Sequence, residues 1–289
     1  MPFVATRAGR VFYEQRGSGR PIVMLPATLH DHRDFDPVAA RFASRYRTIA
    51  VDWPGHGRSD EPDPAQRVSA SLLAGVLADL VDDLDLGPAV LVGNSVGGYA
   101  ASRLALDRPA AVAGLVLVNA GGFSRQTVLS RTACALLGRP AVTRRVLPHL
   151  VRAYLRPVND HDRAVAERVR ARARTVEGAR TAAALWHSFT TPAFDLRADG
   201  PRLTVPTLLT WGTRDVLLPL KAGRQTHAVL PGARFHPFAA GHVVFASDPD
   251  GFTALVEPFL DTVFQTSPPD PRPPTASLPQ GPAGPRDLS

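Results

Sequence analysis

The feature that most constrains the fold is a glycine-rich turn at residues 93–98 (GNSVGG), between an apolar run and a helical pattern. The preceding residues 89–92 (AVLV) form an uninterrupted apolar run, which is typical of a strand covered on both faces. A serine in G-x-S-x-G at a strand-to-helix turn is strained, and it needs flanking glycines because side chains there would contact the neighbouring strand and helix. The turn therefore predicts an exposed Ser95 hydroxyl near a helix N-terminus, where developing negative charge is stabilised.

Strand-like and helix-like segments alternate on both sides of this turn. Helices are predicted for residues 97–107 and for residues 72–84, which place leucine and valine on one face. Short apolar runs without alternation indicate strands covered on both sides, so the chain is predicted to be α/β with a largely parallel sheet. Residues 17–19 (GSG) predict a hairpin between the first two strands. The other predicted strands are residues 11–15, 22–25, 47–51, 115–119, 207–211 and 233–237.

The alternation stops between residues 123 and 199, where no strand-like run appears and Val165, Val169, Ala173 and Val176 recur at helical spacing. We interpret this block as a helical cap at the edge of the sheet, where sites lie. Residues 265–289 contain eight prolines and no apolar periodicity, which predicts a disordered tail. The predicted domains are therefore a core in two parts, 1–122 and 200–264, a cap at 123–199 and a Pro-rich tail at 265–289.

Two further residues complete a possible catalytic set with Ser95. A serine hydroxyl needs a general base, and the base needs an acid that orients it. Asp215 follows the predicted strand at 207–211, and His242 follows the one at 233–237, so both are expected at the sheet edge that carries the serine. Ser95 is thus a candidate nucleophile, with His242 as its base and Asp215 as the orienting acid.

With these residues the chain resembles the α/β-hydrolase fold superfamily, in its cap-bearing serine hydrolase branch, over roughly residues 10 to 264. Residues 52–59 (DWPGHGRS) match the D-x-P-G-x-G-x-S loop of that branch. The resemblance implies a mostly parallel eight-stranded sheet flanked by helices, with a helical cap. It maps the nucleophile, base and acid onto Ser95, His242 and Asp215. It also disfavours the subgroups that carry an aspartate nucleophile at the elbow.

The resemblance further implies an oxyanion hole formed by the backbone N–H groups of Thr28 and Val96. Each such donor stabilises the transition state by about 3 kcal/mol. The sequence departs from the family here, because Pro26 and Ala27 stand where relatives carry His-Gly. The proline lacks an N–H, and the alanine narrows the loop. Three side chains are candidates for the substrate pocket: Asn94, Trp186 and Phe189.

These residues predict a serine hydrolase acting on a small ester, thioester or related acyl compound, with no cofactor. The altered Pro26-Ala27 segment leaves open a non-hydrolytic lyase or cyclase on the same fold. A carbon–carbon bond hydrolase is a further alternative, because Asn94 and residues 119–122 (NAGG) resemble that subgroup. That subgroup has a glycine-rich oxyanion segment and a tryptophan after the catalytic histidine, and both are missing here. A binding protein without catalysis is the last alternative.

The net charge of +7 comes from arginines spread along the chain, with Lys221 as the sole lysine. Nucleic-acid-binding regions concentrate basic residues, so we expect no nucleic acid partner. No apolar run reaches the length of a membrane span and the chain start resembles no signal peptide, so we expect a cytoplasmic protein without a membrane partner. A small-molecule substrate and a monomer or homodimer are expected. The 12 arginines from Arg131 to Arg180 are predicted to form a solvated helix face opposite the cap valines.

Histidine and aspartate cluster at His30, Asp31, His32 and Asp34, in a spacing that metal ligands also use. No second histidine–carboxylate cluster accompanies them in the sequence. We therefore interpret the cluster as a polar loop at the rim of the site and expect no metal. His56, within the glycine-containing loop at 52–59, is interpreted as structural.

Overall fold

Uninterrupted apolar runs form the centre of the sheet in the computed structural model, which describes residues 2–63 and 65–266. The strands are β1 (Phe3–Thr6), β2 (Gly9–Arg16), β3 (Pro21–Leu25), β4 (Arg47–Val51), β5 (Ala89–Asn94), β6 (Val112–Val118), β7 (Thr207–Gly212) and β8 (Arg234–Phe238). Every residue of β3, β5, β6 and β7 is buried. The sheet has eight strands in the order β1-β2-β4-β3-β5-β6-β7-β8. The β1–β2 and β2–β4 pairs are antiparallel and the other pairs are parallel, so the predicted mostly parallel eight-stranded sheet is confirmed.

Helices cover both faces of this sheet. On β3, Val23 and Leu25 belong to one apolar cluster, whereas Ile22 and Met24 belong to the other. The first cluster includes residues of α2 (Ala70–Asp83) and α3 (Val96–Asp107), and the second includes residues of α1 (Asp36–Phe42) and α10 (Pro249–Thr266). This two-sided burial explains why the central strands are apolar without alternation. The helices are α1 (Asp36–Phe42), α2 (Ala70–Asp83), α3 (Val96–Asp107), α4 (Val128–Leu137), α5 (Pro140–Leu155), α6 (Asp160–Arg174), α7 (Val176–Ser188), α8 (Leu220–Val229), α9 (Val244–Ser247) and α10 (Pro249–Thr266).

The hairpin predicted between the strands at residues 11–15 and 22–25, which correspond to β2 and β3, was wrong. Strand β2 pairs with β4, and β3 lies beyond β4, between β4 and β5. The fully buried β3 requires a neighbour on each side, which a hairpin at the sheet edge would not supply. Gly17 is needed for close packing, since a Cβ there would lie 2.3 Å from the carbonyl oxygens of Ala43 and Tyr46.

Four helices, α4 to α7, occupy the segment between β6 and β7. Val165 and Val169 on α6 are buried as expected, but Val176 is 48% exposed, contrary to the prediction. The reason is that α6 ends before Thr175, whose side chain caps α7, so Val176 starts a new helix with a different phase.

Nine of the 12 arginines from Arg131 to Arg180 are exposed, as predicted, but two half-buried ones on α6 contact loops of the sheet. Arg168 Nη2 donates to Asp34 Oδ1 at 2.9 Å, and Arg172 Nη2 donates to the Gly55 carbonyl at 2.7 Å. These two arginines therefore join α6 to loops of the sheet. The sequence pattern could not reveal such partners, because they lie more than 100 residues away along the chain.

Within residues 2–63 and 65–266, no helix has both the length and the apolar character needed to cross a bilayer. The predicted Pro-rich tail at 265–289 lies outside the described residues, except that Gln265 and Thr266 form the end of α10.

Candidate active site

Ser95 occupies a sharp turn between β5 and α3. Its backbone has φ 55° and ψ −114°, a conformation that a non-glycine residue adopts only when its surroundings hold it there. A Cβ on Gly93 would lie 2.5 Å from the Gly97 carbonyl oxygen, and one on Gly97 would lie 2.3 Å from that of Leu25. Glycines are therefore required on both sides of the serine, as the pattern predicts. Ser95 itself is partly exposed.

Asp215 and His242 form a buried hydrogen-bonded pair. His242 Nδ1 lies 2.6 Å from Asp215 Oδ2. The other carboxylate oxygen, Oδ1, accepts from the backbone N–H groups of Leu217 at 2.7 Å and Leu218 at 3.1 Å. These contacts fix the carboxylate after β7 and direct its Oδ2 to the imidazole.

Asn119 also holds Asp215, and the sequence reasoning did not assign it this position. Its Nδ2 donates to Asp215 Oδ2 at 2.5 Å, while its Oδ1 accepts from the Gly212 N–H at 3.0 Å. The residue directly follows β6, is buried and has φ 42°, a left-handed conformation in which asparagine is enriched. The only sequence signal was an asparagine at the end of a strand, next to the strands that carry Ser95 and Asp215.

Asn94 links the serine turn to the histidine loop. Its Nδ2 donates to the backbone carbonyls of Val118 and His242, both at 3.0 Å, while its Oδ1 is buried and has no partner among the described residues. The backbone N–H of Ser95 also donates to the Val118 carbonyl at 3.0 Å. The loops that carry Ser95, Asp215 and His242 are thus connected by hydrogen bonds at the carboxyl ends of β5, β6 and β7.

Thr28 and Val96 lie on segments that pack against each other. Thr28 follows β3, and Val96 begins α3, whose first turn contacts the Leu25 backbone at the end of β3. The Trp53 indole N–H donates to the Pro26 carbonyl at 2.8 Å and so anchors the Thr28 loop. Within residues 2–63 and 65–266, no hydrogen bond uses the backbone N–H of Thr28 or Val96.

Trp186 and Phe189, at the end of α7, pack edge to face with ring centroids 5.5 Å apart. Trp186 contacts both apolar clusters, and its buried Nε1 has no hydrogen-bond partner among the described residues. Phe189 contacts Phe194, which in turn stacks on Tyr99 one turn after Ser95 in α3. An aromatic row therefore runs from the end of α7 towards the serine helix.

The four residues interpreted as part of a polar loop at the rim of the site, His30, Asp31, His32 and Asp34, are all buried. Their burial is possible because each has a charged or hydrogen-bonding partner. His32 Nδ1 lies 2.9 Å from Asp52 Oδ1, and the Asp31 carboxylate pairs with Arg33.

Asp31, His32 and Asp52 offer donor atoms within 4.8 Å of one another, so they could reach a single metal ion. Burial alone would raise the pKa of Asp31, but Arg33 and Arg168 hold it below its ordinary value. Burial alone would lower the pKa of His32, but the Asp52 carboxylate raises it. Protein side chains therefore already balance the negative charge of these carboxylates. We assign Asp31, His32 and Asp52 a structural role.

His56 is buried in the loop after β4. Its Nδ1 lies 2.9 Å from the Pro54 carbonyl, and its Nε2 has no partner among the described residues. Burial lowers the pKa of His56 to about 4, so the imidazole is neutral over the physiological pH range.

Comparison with known proteins identifies the family. A model described as the alpha/beta hydrolase family matches residues 22–255. The chain belongs to the alpha/beta hydrolase family. A 2-hydroxy-6-oxononadienedioate/2-hydroxy-6-oxononatrienedioate hydrolase of Burkholderia vietnamiensis is 31% identical to this family member over 268 residues, covering 87% of this chain and 91% of the relative. The protein is a hydrolase of this family.

Two further proteins are similar to this hydrolase. An uncharacterized protein of Mycobacterium tuberculosis is 31% identical over 267 residues, which cover 85% of this chain and 76% of the relative. The crystal structure of an enol-lactonase from Burkholderia xenovorans matches with a TM-score of 0.78 at 22% identity, covering 90% of this chain and 100% of the other. That structural likeness establishes the fold.

Proposed function

We propose that this hydrolase cleaves a small ester, thioester or related acyl substrate, with Ser95 as nucleophile, His242 as general base and Asp215 as the orienting acid. One observation carries the proposal, the buried hydrogen bond of 2.6 Å between His242 Nδ1 and Asp215 Oδ2. The histidine loop that makes this bond is tied to Asn94, the residue just before the strained serine, because Asn94 Nδ2 donates to the His242 carbonyl. A serine, a base and an orienting acid in this relation are the parts that nucleophilic acyl transfer requires.

The hydrogen bond determines which nitrogen acts. When Nδ1–H donates to Asp215, Nε2 of His242 carries the lone pair and takes the proton from the Ser95 hydroxyl. Ser95 Oγ attacks the substrate carbonyl carbon, and the tetrahedral intermediate then breaks its C–O or C–S bond as His242 gives the proton to the leaving group. Water attacks the acyl-enzyme by the same route, which releases the acid and restores the serine.

The backbone N–H groups of Thr28 and Val96 are the proposed oxyanion donors. Support comes from the position of Val96 as the first residue of α3, because first-turn N–H groups have no acceptor within a helix. The helix N-terminus also favours the negative charge of the oxyanion. The buried Thr28 hydroxyl has no partner among the described residues, which makes it an additional donor for the same oxygen.

The substrate pocket is proposed to include the aromatic row at the end of α7. Phe189 offers an apolar surface, and the unpartnered Trp186 Nε1–H offers one hydrogen-bond donor within it. An apolar lining with few polar groups is typical of sites for small molecules. The proposed substrate is therefore a small acyl compound with at least one polar group.

A fluorophosphonate probe and a series of p-nitrophenyl esters test the assignment. Wild-type protein is expected to be labelled once per chain and to hydrolyse short esters, whereas Ser95→Ala loses both properties. Ser44→Ala is the matched control, because the exposed Ser44 hydroxyl donates to the nearby Arg41 carbonyl at the surface. Labelling that persists in Ser95→Ala would contradict the nucleophile assignment.

A second candidate is hydrolysis of a carbon–carbon bond. The Burkholderia vietnamiensis relative, named as a 2-hydroxy-6-oxononadienedioate/2-hydroxy-6-oxononatrienedioate hydrolase, supports it. The missing glycine-rich oxyanion segment, replaced here by Pro26 and Ala27, favours the acyl substrate instead. Turnover of a 2-hydroxy-6-oxo-dienoate with kcat/KM above that of every ester and thioester tested would decide for the second candidate.

A further inference from the structure

The end of α5 packs directly against the loop that carries His242. The carbonyl of Tyr154, the penultimate residue of α5, accepts the His242 backbone N–H at 2.9 Å. Carbonyls in the last turn of a helix receive no hydrogen bond from within the helix, so the His242 N–H supplies a donor for one of them. A Cβ on Gly241 would lie 2.1 Å from the Leu155 carbonyl oxygen, so only glycine permits this approach. The position of the His242 backbone therefore depends on α5.

The Tyr154 side chain also contacts the His242 ring. The two rings are perpendicular, with centroids 5.6 Å apart. Tyr154 is buried, and its hydroxyl oxygen lies 3.2 Å from Nε2 of His30. The tyrosine thus contacts His242 with its ring while His30 holds its distal end.

His30 is fixed in turn on its other side. Its Nδ1 is hydrogen-bonded to the buried Asp34 carboxylate, whose Oδ1 accepts from Arg168 on α6. The His30 backbone N–H donates to the Ala27 carbonyl at 3.1 Å, which closes the turn that contains Thr28. His30 therefore connects the proposed oxyanion loop with Tyr154 and, through it, with His242.

We propose that Tyr154 is a positioning residue for His242, held in place by the hydrogen bond between its hydroxyl and His30. This inference rests on the proposed function of His242 as the general base. Asp215 holds the imidazole through Nδ1, and Tyr154 supports the ring from α5. The two supports together restrict rotation of the ring, so that Nε2 would keep the orientation that the proposed proton transfer from Ser95 requires. A base that is misaligned with its proton loses rate without losing substrate affinity.

The hydrogen bond has a defined direction. Burial raises the pKa of Tyr154 far above its ordinary value, so the phenol keeps its proton and donates it. When Nδ1–H of His30 donates to Asp34, its Nε2 is left to accept from the Tyr154 hydroxyl. Loss of the tyrosine hydroxyl leaves a buried nitrogen unpaired but retains the aromatic ring.

Tyr154→Phe tests the inference with p-nitrophenyl butyrate as substrate. Active sites are counted by stoichiometric release of p-nitrophenol from a p-nitrophenyl phosphonate, so that kcat refers to competent enzyme alone. We expect kcat per titrated site to fall roughly three- to tenfold, the effect of one hydrogen bond, with KM unchanged. The control is Tyr46→Phe, which removes the hydrogen bond from Tyr46 to Asp261 far from the site and should leave kcat unchanged.

Two results overturn the inference. If kcat per titrated site in Tyr154→Phe equals that of wild type, the hydroxyl does not position the base. If KM rises while kcat stays constant, Tyr154 contacts the substrate instead. A purely structural role would lower the melting temperature and the number of titrated sites but leave kcat per site unchanged.

A double-mutant cycle tests whether the effect passes through His30. His30→Leu is expected to lower kcat as much as Tyr154→Phe, and the double variant should fall no further. His30→Gln keeps an acceptor for the tyrosine hydroxyl and should retain most of the rate. Additive losses of kcat in the double variant would show that the effect of Tyr154 does not pass through His30. If His30→Leu does not fold, the same cycle is measured with His30→Gln and Tyr154→Phe.

Failure of the inference is distinguishable from failure of the proposed function. If Ser95→Ala abolishes phosphonate labelling but Tyr154→Phe leaves kcat per site at the wild-type value, the proposed nucleophile stands and the positioning role is wrong. If Ser95→Ala is still labelled, the proposed function itself is wrong, whatever Tyr154→Phe shows.

Discussion

Asn119→Ala should lower both kcat and the free energy of unfolding, and the two effects can be measured separately. Its side chain contacts two groups that the proposed mechanism requires to be fixed, the Asp215 carboxylate at 2.5 Å and the Gly212 N–H at 3.0 Å. Alanine removes both hydrogen bonds. It also places a residue without a polar side chain at φ 42°, where asparagine is tolerated better.

The effect on rate follows from the partners that remain. A hydrogen bond to a charged group contributes about 1.5–3 kcal/mol. Asp215 keeps three other donors, His242, Leu217 and Leu218, so the lower end of that range applies. A loss of ~1.5 kcal/mol in the transition state corresponds to a roughly tenfold lower kcat.

The effect on stability has two sources. The buried Gly212 N–H loses its acceptor, which costs about 1–2 kcal/mol. The left-handed backbone adds about 1 kcal/mol for alanine. The free energy of unfolding should therefore fall by about 2–3 kcal/mol, measured by urea denaturation.

The assay combines kcat per phosphonate-titrated site with urea denaturation. Asn159→Ala is the matched control, because Asn159 is also an asparagine that caps α6 and donates to the Ala246 carbonyl, away from Ser95. The control should lose stability but keep its kcat. If Asn119→Ala loses stability and keeps the wild-type kcat per site, Asn119 does not contribute to catalysis by holding Asp215.

Three further predictions concern other parts of the fold. The pKa of His56 is about 4 in the folded protein and about 6.5 in the unfolded chain. Between pH 6.5 and pH 4 the unfolded state therefore binds more protons, so the free energy of unfolding decreases as the pH falls through this range. Wild type should lose ~2 kcal/mol more than His56→Asn between pH 7.5 and pH 5 in urea denaturation, and equal losses would contradict the buried neutral imidazole. Gly97→Ala places a Cβ 2.3 Å from the Leu25 carbonyl oxygen and should cost about 2–3 kcal/mol, whereas Gly232→Ala, with no atom within 4 Å, should be nearly neutral. Arg168→Met leaves the buried Asp34 without its arginine partner and should lower the melting temperature by several degrees. Arg163→Met removes the partner of the exposed Asp160 and should change the melting temperature little. Equal shifts in the two variants would contradict a larger contribution from the buried ion pair.

The central sheet and the loops at its carboxyl edge were predictable from the sequence. Apolar runs such as residues 89–92 can be buried on both faces only in a covered parallel sheet, and their order along the chain places Ser95, Asp215 and His242 at one edge. Strand pairing was less predictable at β2, because a glycine turn permits a hairpin without requiring one. The burial of β3, which needs two neighbours, decided that pairing.

The contacts between α5 and the sheet were not predictable. Tyr154 lies on a helix whose direction depends on packing against α6 and α7, and no periodicity relates it to a histidine 88 residues later. His30 and Asp34 were visible as a cluster, but their burial depends on partners from α5 and α6. Local pattern thus reveals the residues that follow strands, whereas residues from the helical insertion require the tertiary structure.

The position of α5 adds an electrostatic argument to the proposed mechanism. In the proposed mechanism the transition state would separate charge, with a negative oxyanion near Val96 and a positive imidazolium at His242. The N-terminus of α3 carries partial positive charge beside Ser95, and the C-terminus of α5 presents the Tyr154 carbonyl to the His242 backbone. Two helix ends of opposite polarity therefore lie on the sides where the opposite charges form. Because both helix ends are fixed before a substrate binds, they would stabilise the charge separation of the proposed mechanism without reorganisation, and α5 would then contribute to the proposed site.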